Sequence, residues 1–279
     1  MLSGERLGGE ASLVGDGALK YIAFDCFERF GGELVHGMST RLGGVSAGEC
    51  GSLNLGYGRK DKKENVTANF RRMCSALDIK AESMVFSKQV HDSRLRVVTA
   101  EDRGKGFSRE SDIRDVDGLM TVTPGITLVT FYADCVPVFL YEPARKAAAL
   151  VHSGWRGTLG NIAGKAAGRM VSEFGCSPGG MTAAIGPSIG SCCFEVGEEV
   201  YRLFAEKFGS EEFYSQAWPG KWKIDLQAII MDELRQEGLK AENIHNSGIC
   251  TMCRRDLFFS HRGDRGTTGS LAAFMQIRG

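Results

Sequence analysis

Four residues, Glu142-Pro143-Ala144-Arg145, stand between the apolar runs CVPVFLY and KAAALVH, and this arrangement constrains the chain more than any other stretch of it. Proline occupies the second of the four positions, where type I and type II turns accept it. An antiparallel hairpin closed on those residues sets Cys135 opposite His152. Directly opposed residues in such a ladder hold their Cβ atoms about 4.5–5.5 Å apart. One ion bonded at about 2.3 Å to sulfur and about 2.0–2.1 Å to nitrogen would bridge that gap. A bulge, or the splaying that type I and II turns impose on a two-residue hairpin, would slip the register. Cys135 by itself reads as a small hydrophobe filling a core. His152 alters that reading, because an imidazole ending an AAALV run, followed at once by Ser-Gly-Trp-Arg-Gly, is a costly choice for packing.

The remainder of the chain alternates strand and helix signals. After a Gly-containing lead over 1–20, expected to be mobile, YIAFDCF and ELVHGMS read as strands broken at Gly31-Gly32. Val66, Phe70, Met73 and Leu77 recur at helical spacing over 63–77. SMVFSKQVH, RLRVVTA, DGLMTV and ITLVTFYADC read as further strands, interrupted by a polar surface loop over 101–116. GNIAGKAAGRMVSEFG predicts a helix capped at Gly175. Val196, Val200, Leu203, Phe204 and Phe208 form a second helical stripe, and Asp225 is placed to N-cap a third helix closed by Gly238. No repeat or linker divides 21–279, which predicts a single α/β domain of the α+β sandwich kind, a mixed β-sheet flanked by helices.

Charge and cysteine usage narrow the function classes. Lys+Arg and Asp+Glu are both 34, so no overall field recruits nucleic acid or an anionic membrane, and anion binding has to come from local arginines. A small-molecule substrate is expected. The N-terminus lacks a secretion signal and no apolar run reaches the length of a membrane span, so a cytoplasmic location is expected. The 9 cysteines then speak for reduced thiols, metal ligation or catalysis rather than disulfides. CTMC at 250–253 and SCCF at 191–194 read as structural, because no second CxxC exists and a four-cysteine site would have to recruit distant residues.

Among the 5 histidines, His91 also ends an apolar stretch, just after Gln89-Val90. His91, Cys135 and His152 would make a His₂Cys set, and three protein ligands with a fourth position open is the pattern of a catalytic zinc. The same Cys135 and His152 would serve a metal-free thiol hydrolase, with the imidazole activating the thiolate.

Eight ordered blocks, HGMSTRLGGVS, SLNLG, KQVH, DVDGLMT, ADCVPVFLY, VHSGWRGT, IGPSIGSCCFEVG and LFFSHRGDRGTTGSLAAFM, resemble the YfiH-type family, also labelled laccase-domain or polyphenol-oxidase-type. The resemblance covers most of the chain after about residue 20. It implies a fold akin to cysteine-hydrolase-like toxins, zinc on His91, Cys135 and His152, phosphorolysis of adenosine, inosine and methylthioadenosine, and some adenosine deamination. One branch of the family is linked to editing of peptidoglycan precursors. Two departures leave roles open: His261 stands where many relatives have tyrosine, and CTMC has an extra cysteine at Cys253.

That chemistry directs attention to particular residues. Asp134 is a candidate to hold a metal-bound water or take its proton; the competing reading is a turn aspartate bonded to the backbone. Phosphorolysis needs a cationic pocket, for which Arg41, Arg156 and Arg262 are candidates because each lies in a Gly-rich loop of a matched block. Ser39, two residues before Arg41, and Gln89, two residues before His91, join the substrate-binding candidates. Trp155 would stack on a base, or be buried beside its glycine. Copper is possible from the family label, although five histidines oppose a multicopper oxidase. Purine nucleosides and phosphate are the expected partners, and the oligomeric state is open.

Overall fold

The computed structural model describes residues 4–279. Its strands fall into two large mixed sheets and one small one. The first runs Glu5–Gly8, Ala11–Val14, Tyr21–Phe24, Leu34–Ser39, Leu271–Ile277, Thr127–Tyr132 and Met84–Phe86, antiparallel except for the last pair. The second runs Ile244–Asn246, Thr182–Ile185, Val136–Glu142, Ala147–Ser153, Gly118–Thr121 and Leu95–Val97, antiparallel at its centre and parallel at both edges. Glu195–Gly197, Lys221–Ile224 and Tyr214–Trp218 make the small antiparallel sheet. Residues 5–14, part of the stretch read from sequence as a mobile lead, form a hairpin on the edge of the first sheet; residues 1–3 of that stretch lie outside the described residues.

Every residue of Val136–Glu142 is buried, and side-chain alternation explains how. Phe139 and Tyr141 enter the core between the two large sheets, with Ile22, Met38, Leu128 and Met275. Val136, Val138 and Leu140 turn the other way, onto Ile162, Ala166, Met170 and Ile229 of the helices Ile162–Phe174 and Leu226–Gln236. A strand covered on both faces reads as an unbroken apolar run, as this one does. The Lys63–Leu77 helix covers the outer face of the first sheet with its Val66, Phe70, Met73 and Leu77 stripe. The layers are therefore helix, sheet, sheet, helices. Two expected helix signals operate locally: Asp225 accepts the Ala228 N–H at 2.9 Å, and Gly175 ends its helix at φ 67°. Asn161, not read as a cap from sequence, accepts the Gly164 N–H at 3.1 Å.

Ala133-Asp134-Cys135 alone carries the chain from the Thr127–Tyr132 strand of the first sheet to the Val136–Glu142 strand of the second. The hairpin that follows corrects the sequence-derived register. Glu142 pairs with Ala147 and His152 pairs with Pro137, so Cys135 does not face His152 in the ladder. The turn starts one residue later than expected, at Pro143, because the Glu142 carboxylate accepts the N–H groups of Ala144 and Arg145 at 3.2 and 2.8 Å and Lys146 takes a positive φ of 48°. This shift displaces the pairing by an even number of residues, so every side chain keeps its face.

One buried group conflicts with its surroundings. Glu233, on the Leu226–Gln236 helix, is 2% exposed, and neither carboxylate oxygen has a hydrogen-bond partner. Burial, only partly offset by Lys207, pushes its carboxyl up to about 8. Because the folded value lies above the unfolded value of about 4.3, its contribution to stability is fully present below that pH. It is lost as pH rises through about 8. Wild type minus Glu233→Leu stability, from urea denaturation, is expected to fall on the order of 4 kcal/mol between pH 4 and pH 9. A flat difference would mean that Glu233 ionises in the fold at its ordinary pH.

Candidate metal centre and cleft

The corner between the sheets opens into a cleft of about 940 Å³, with Cys135, His152 and His91 on its wall. Their ligand atoms, one sulfur and two ring nitrogens, all lie within 4.8 Å of one another. His152 arrives at the end of the Ala147–Ser153 strand and is 3% exposed. Cys135 arrives from the sheet-to-sheet corner. His91 does not end a strand as expected: Met84–Phe86 stops earlier, and His91 projects from a loop at a positive φ of 62°.

One carboxylate organises both histidines. Asp117, fully buried, accepts His152 Nδ1 through Oδ1 at 2.9 Å, which leaves Nε2 of the ring as the free donor atom. The same carboxylate accepts three successive backbone N–H groups, of Val90, His91 and Asp92, at 3.0, 2.9 and 3.1 Å. Burial alone would raise the Asp117 carboxyl, but the His152 bond and these N–H donors outweigh it and hold it below the usual carboxylate range. A histidine ligand backed by a carboxylate is oriented and made a better donor. Burial likewise opposes charge on Cys135 and His152, yet each stabilises the other: the thiol is drawn below its ordinary value and the imidazole above. A thiolate is the form of cysteine that ligates metals. Gly154 gives the set its room, since a Cβ there would sit 3.1 Å from His91 Cδ2 and 3.2 Å from Cys135 Sγ. The donor types, their spacing and the carboxylate behind them together fit a metal ion.

Asp117 was not singled out from sequence, although it lies in the DVDGLMT block; its signal was a carboxylate directly before the Gly118–Thr121 strand. Asp117→Asn is expected to weaken metal binding by about 10–100-fold, measured by competition with a chromophoric chelator. Unchanged affinity would remove the orienting role.

The remaining sequence candidates separate. Gln89, Trp155, Asp134 and Arg262 line the cleft. Gln89 is tied to the Phe131 backbone in both directions, donating at 2.7 Å and accepting at 2.8 Å. Asp134 accepts the Thr251 hydroxyl and the Arg262 N–H, both at 2.7 Å, so its oxygens anchor the Arg262 loop. Ser39, Arg41 and Arg156 are not on the cleft wall. The fully buried Ser39 Oγ accepts the Ala272 N–H. Arg41 donates to the carbonyls of Gly51 and Arg255 and lies over Phe259. Arg156 stacks on the Trp155 ring at 4.0 Å. A glycine-rich loop frees a backbone to bend but does not say which way its arginine points. The cleft instead recruits Arg59 and Arg114, which the sequence reading passed over, and His261, whose role it left open.

Residues 35–278 match the family described as multi-copper polyphenol oxidoreductase laccase. The chain belongs to this family. Among proteins of the laccase-type family, the purine nucleoside phosphorylase YlmD of Geobacillus stearothermophilus is 36% identical over 247 residues, covering 88% of this chain and 90% of that protein. The YlmD crystal structure from the same species aligns with a TM-score of 0.90 over 97% of this chain and 100% of that one, at 33% identity. The crystal structure of the hypothetical protein YfiH of Bacillus licheniformis aligns at 0.87, with 30% identity, over 94% and 97% of the two chains. The resemblance drawn from the eight sequence blocks and the α/β sandwich expected from it both stand. Among the described residues no helix is long and apolar enough to cross a membrane.

Proposed function

We propose that the chain is a zinc-dependent purine nucleoside phosphorylase that splits adenosine, inosine or methylthioadenosine with phosphate into free base and sugar 1-phosphate, with a secondary adenosine deaminase activity. The observation that carries the reading is the convergence of His91, Cys135 and His152 on the wall of a cleft that also holds arginines and aromatic rings. Relatives named purine nucleoside phosphorylase, similar along most of the chain, support the substrate class. A zinc held by these three residues would act as a Lewis acid and bring a bound water to a pKa of about 7. The protein's own groups supply the rest. Arg262 and Arg59, both of which line the cleft, would hold phosphate; the lining rings Trp155, Phe131 and Phe194 would pack against a purine. Asp134 fixes the Arg262 loop, and Asp117 holds the His152 ring.

Two competing readings fare worse on donor chemistry. A multicopper centre needs further imidazoles; of the three other histidines His36 is buried as the acceptor of the Phe24 N–H, His245 faces Glu10, and only His261 lines the cleft. A Cys-His hydrolase has no use for His91 beside the same sulfur. A reducing, cytoplasmic setting would keep Cys135 available as the thiolate that ligates the metal. The test is chromatography of products from adenosine or inosine, with and without phosphate, using protein of known metal content. Base release that requires phosphate is the expected result; base release indifferent to phosphate, or no reaction, overturns the reading.

A further inference from the structure

The two cysteine pairs that the sequence left as unconnected structural residues meet in space. Cys192, Cys193, Cys250 and Cys253 hold their Sγ atoms within 4.8 Å of one another. Cys253 Sγ lies 3.6 Å from that of Cys192 and 3.5 Å from that of Cys193. These separations are far beyond a disulfide bond of about 2.05 Å. They approach the edge of about 3.8 Å of a tetrahedron whose sulfurs each lie about 2.3 Å from a central ion. We propose that Cys192, Cys193, Cys250 and Cys253 form a second metal site, a closed tetrathiolate that takes one zinc ion.

The local backbone is built to present four sulfurs to one point. Adjacent side chains point apart in an extended strand, but Cys192 and Cys193 lie in a turn, where Gly190 O accepts the N–H groups of both Cys193 and Phe194 at 2.9 Å. Cys250-x-x-Cys253 occupies a second turn, closed by the Arg254 N–H on Cys250 O at 3.0 Å. The two turns are fastened to each other by Ser188 N on Ile249 O and Thr251 N on Ser188 O, at 3.2 and 2.9 Å. The Gly190 N–H points at Cys250 Sγ, 3.3 Å away, a donor that favours thiolate. Four thiolates around a dipositive ion leave a net double negative charge, and Lys223 Nζ, bonded to Cys192 O, brings a cation alongside. With all four positions filled by sulfur the ion has no open site, which makes its role structural rather than catalytic.

That role bears on the cleft. Thr251 and Arg262 both donate to Asp134, and Arg262 also donates to Glu195 O at 3.0 Å, so the two turns joined by the ion flank the Arg262 loop on both sides. The ion would clamp segments about sixty residues apart in sequence, a long loop closure for one cross-link.

The decisive measurement is native mass spectrometry of the Cys135→Ser/His152→Ala chain, in which the cleft set is removed. About one zinc per chain is expected to remain, and adding Cys192→Ser and Cys253→Ser should abolish it. Because those variants risk misfolding, wild-type protein supplies a second readout. Cys192 and Cys253 are exposed, so free thiols would be alkylated by iodoacetamide at once; ligated ones should resist until an organomercurial releases zinc, about two equivalents in all. A folded, zinc-free chain in which Cys192 and Cys253 are rapidly alkylated overturns the proposal. So does a mass short of two hydrogens per cysteine pair, restored by reductant and indifferent to chelator, which would mean disulfides.

Discussion

Purified Cys135→Ser, His91→Ala and His152→Ala chains are each expected to carry about one equivalent of zinc less than wild type, and to lose nucleoside phosphorolysis by at least about 10³-fold. The magnitude corresponds to about 4 kcal/mol of transition-state stabilisation, in the range a Lewis-acid metal supplies. The three changes differ in what else they disturb. His152 is 3% exposed and is bonded to a fully buried Asp117, so His152→Ala leaves that carboxylate with only its backbone donors and should also lower stability. His91 is exposed and its own backbone N–H, not its ring, is what Asp117 holds. His91→Ala therefore separates metal loss from unfolding most cleanly, with circular dichroism as the control. Retention of full zinc in all three chains would sink the ligand assignment, whatever happened to activity.

Arg262→Ala is expected to raise the phosphate requirement and cut phosphorolysis by on the order of 10²-fold, the scale for losing about 2.7 kcal/mol of charge stabilisation. Adenosine deamination should fall much less, because hydrolysis needs no anion site. The guanidinium is held at the cleft by its bond to Glu195 O and lies 5.8 Å from the Phe194 ring, while Asp134 fixes the backbone beneath it. The informative contrast is with the two arginines equally favoured by sequence. Arg41→Ala removes bonds to Gly51 and Arg255 carbonyls and should cost stability without altering phosphate dependence. Arg156→Ala removes only the cation stacked on Trp155 and should change base affinity more than phosphate affinity. Release of adenine or hypoxanthine against inosine formation, across a phosphate titration, distinguishes the cases. If Arg262→Ala retains wild-type phosphate dependence, or loses both activities in parallel, Arg262 is not the phosphate residue.

The helices were legible in the chain because their determinants are local. The Val66, Phe70, Met73, Leu77 stripe, the Asp225 cap and the Gly175 stop each act within a turn or two of backbone. The strands from Tyr21 to Ser153 were legible for the same reason, whereas those within 5–14 and those after Ser153 were not read. The approach of Cys135, His91 and His152 was suggested by their places at the ends of apolar runs and given as a ligand set by the ordered blocks. Register and partnership were not local. Whether the hairpin turned at Glu142 or Pro143 hung on a side chain bonding its own following N–H groups, and which sheet each apolar run joined depended on strands as distant as Leu271–Ile277. The tertiary structure alone put Asp117 behind two histidines from different segments, turned Arg41 inward and Arg262 toward the cleft, and joined Cys192-Cys193 to Cys250 and Cys253. The physical reason is common to all of these: a side chain's chemistry is written in its residue, but its direction and its partners are set by whichever distant backbone the core brings beside it.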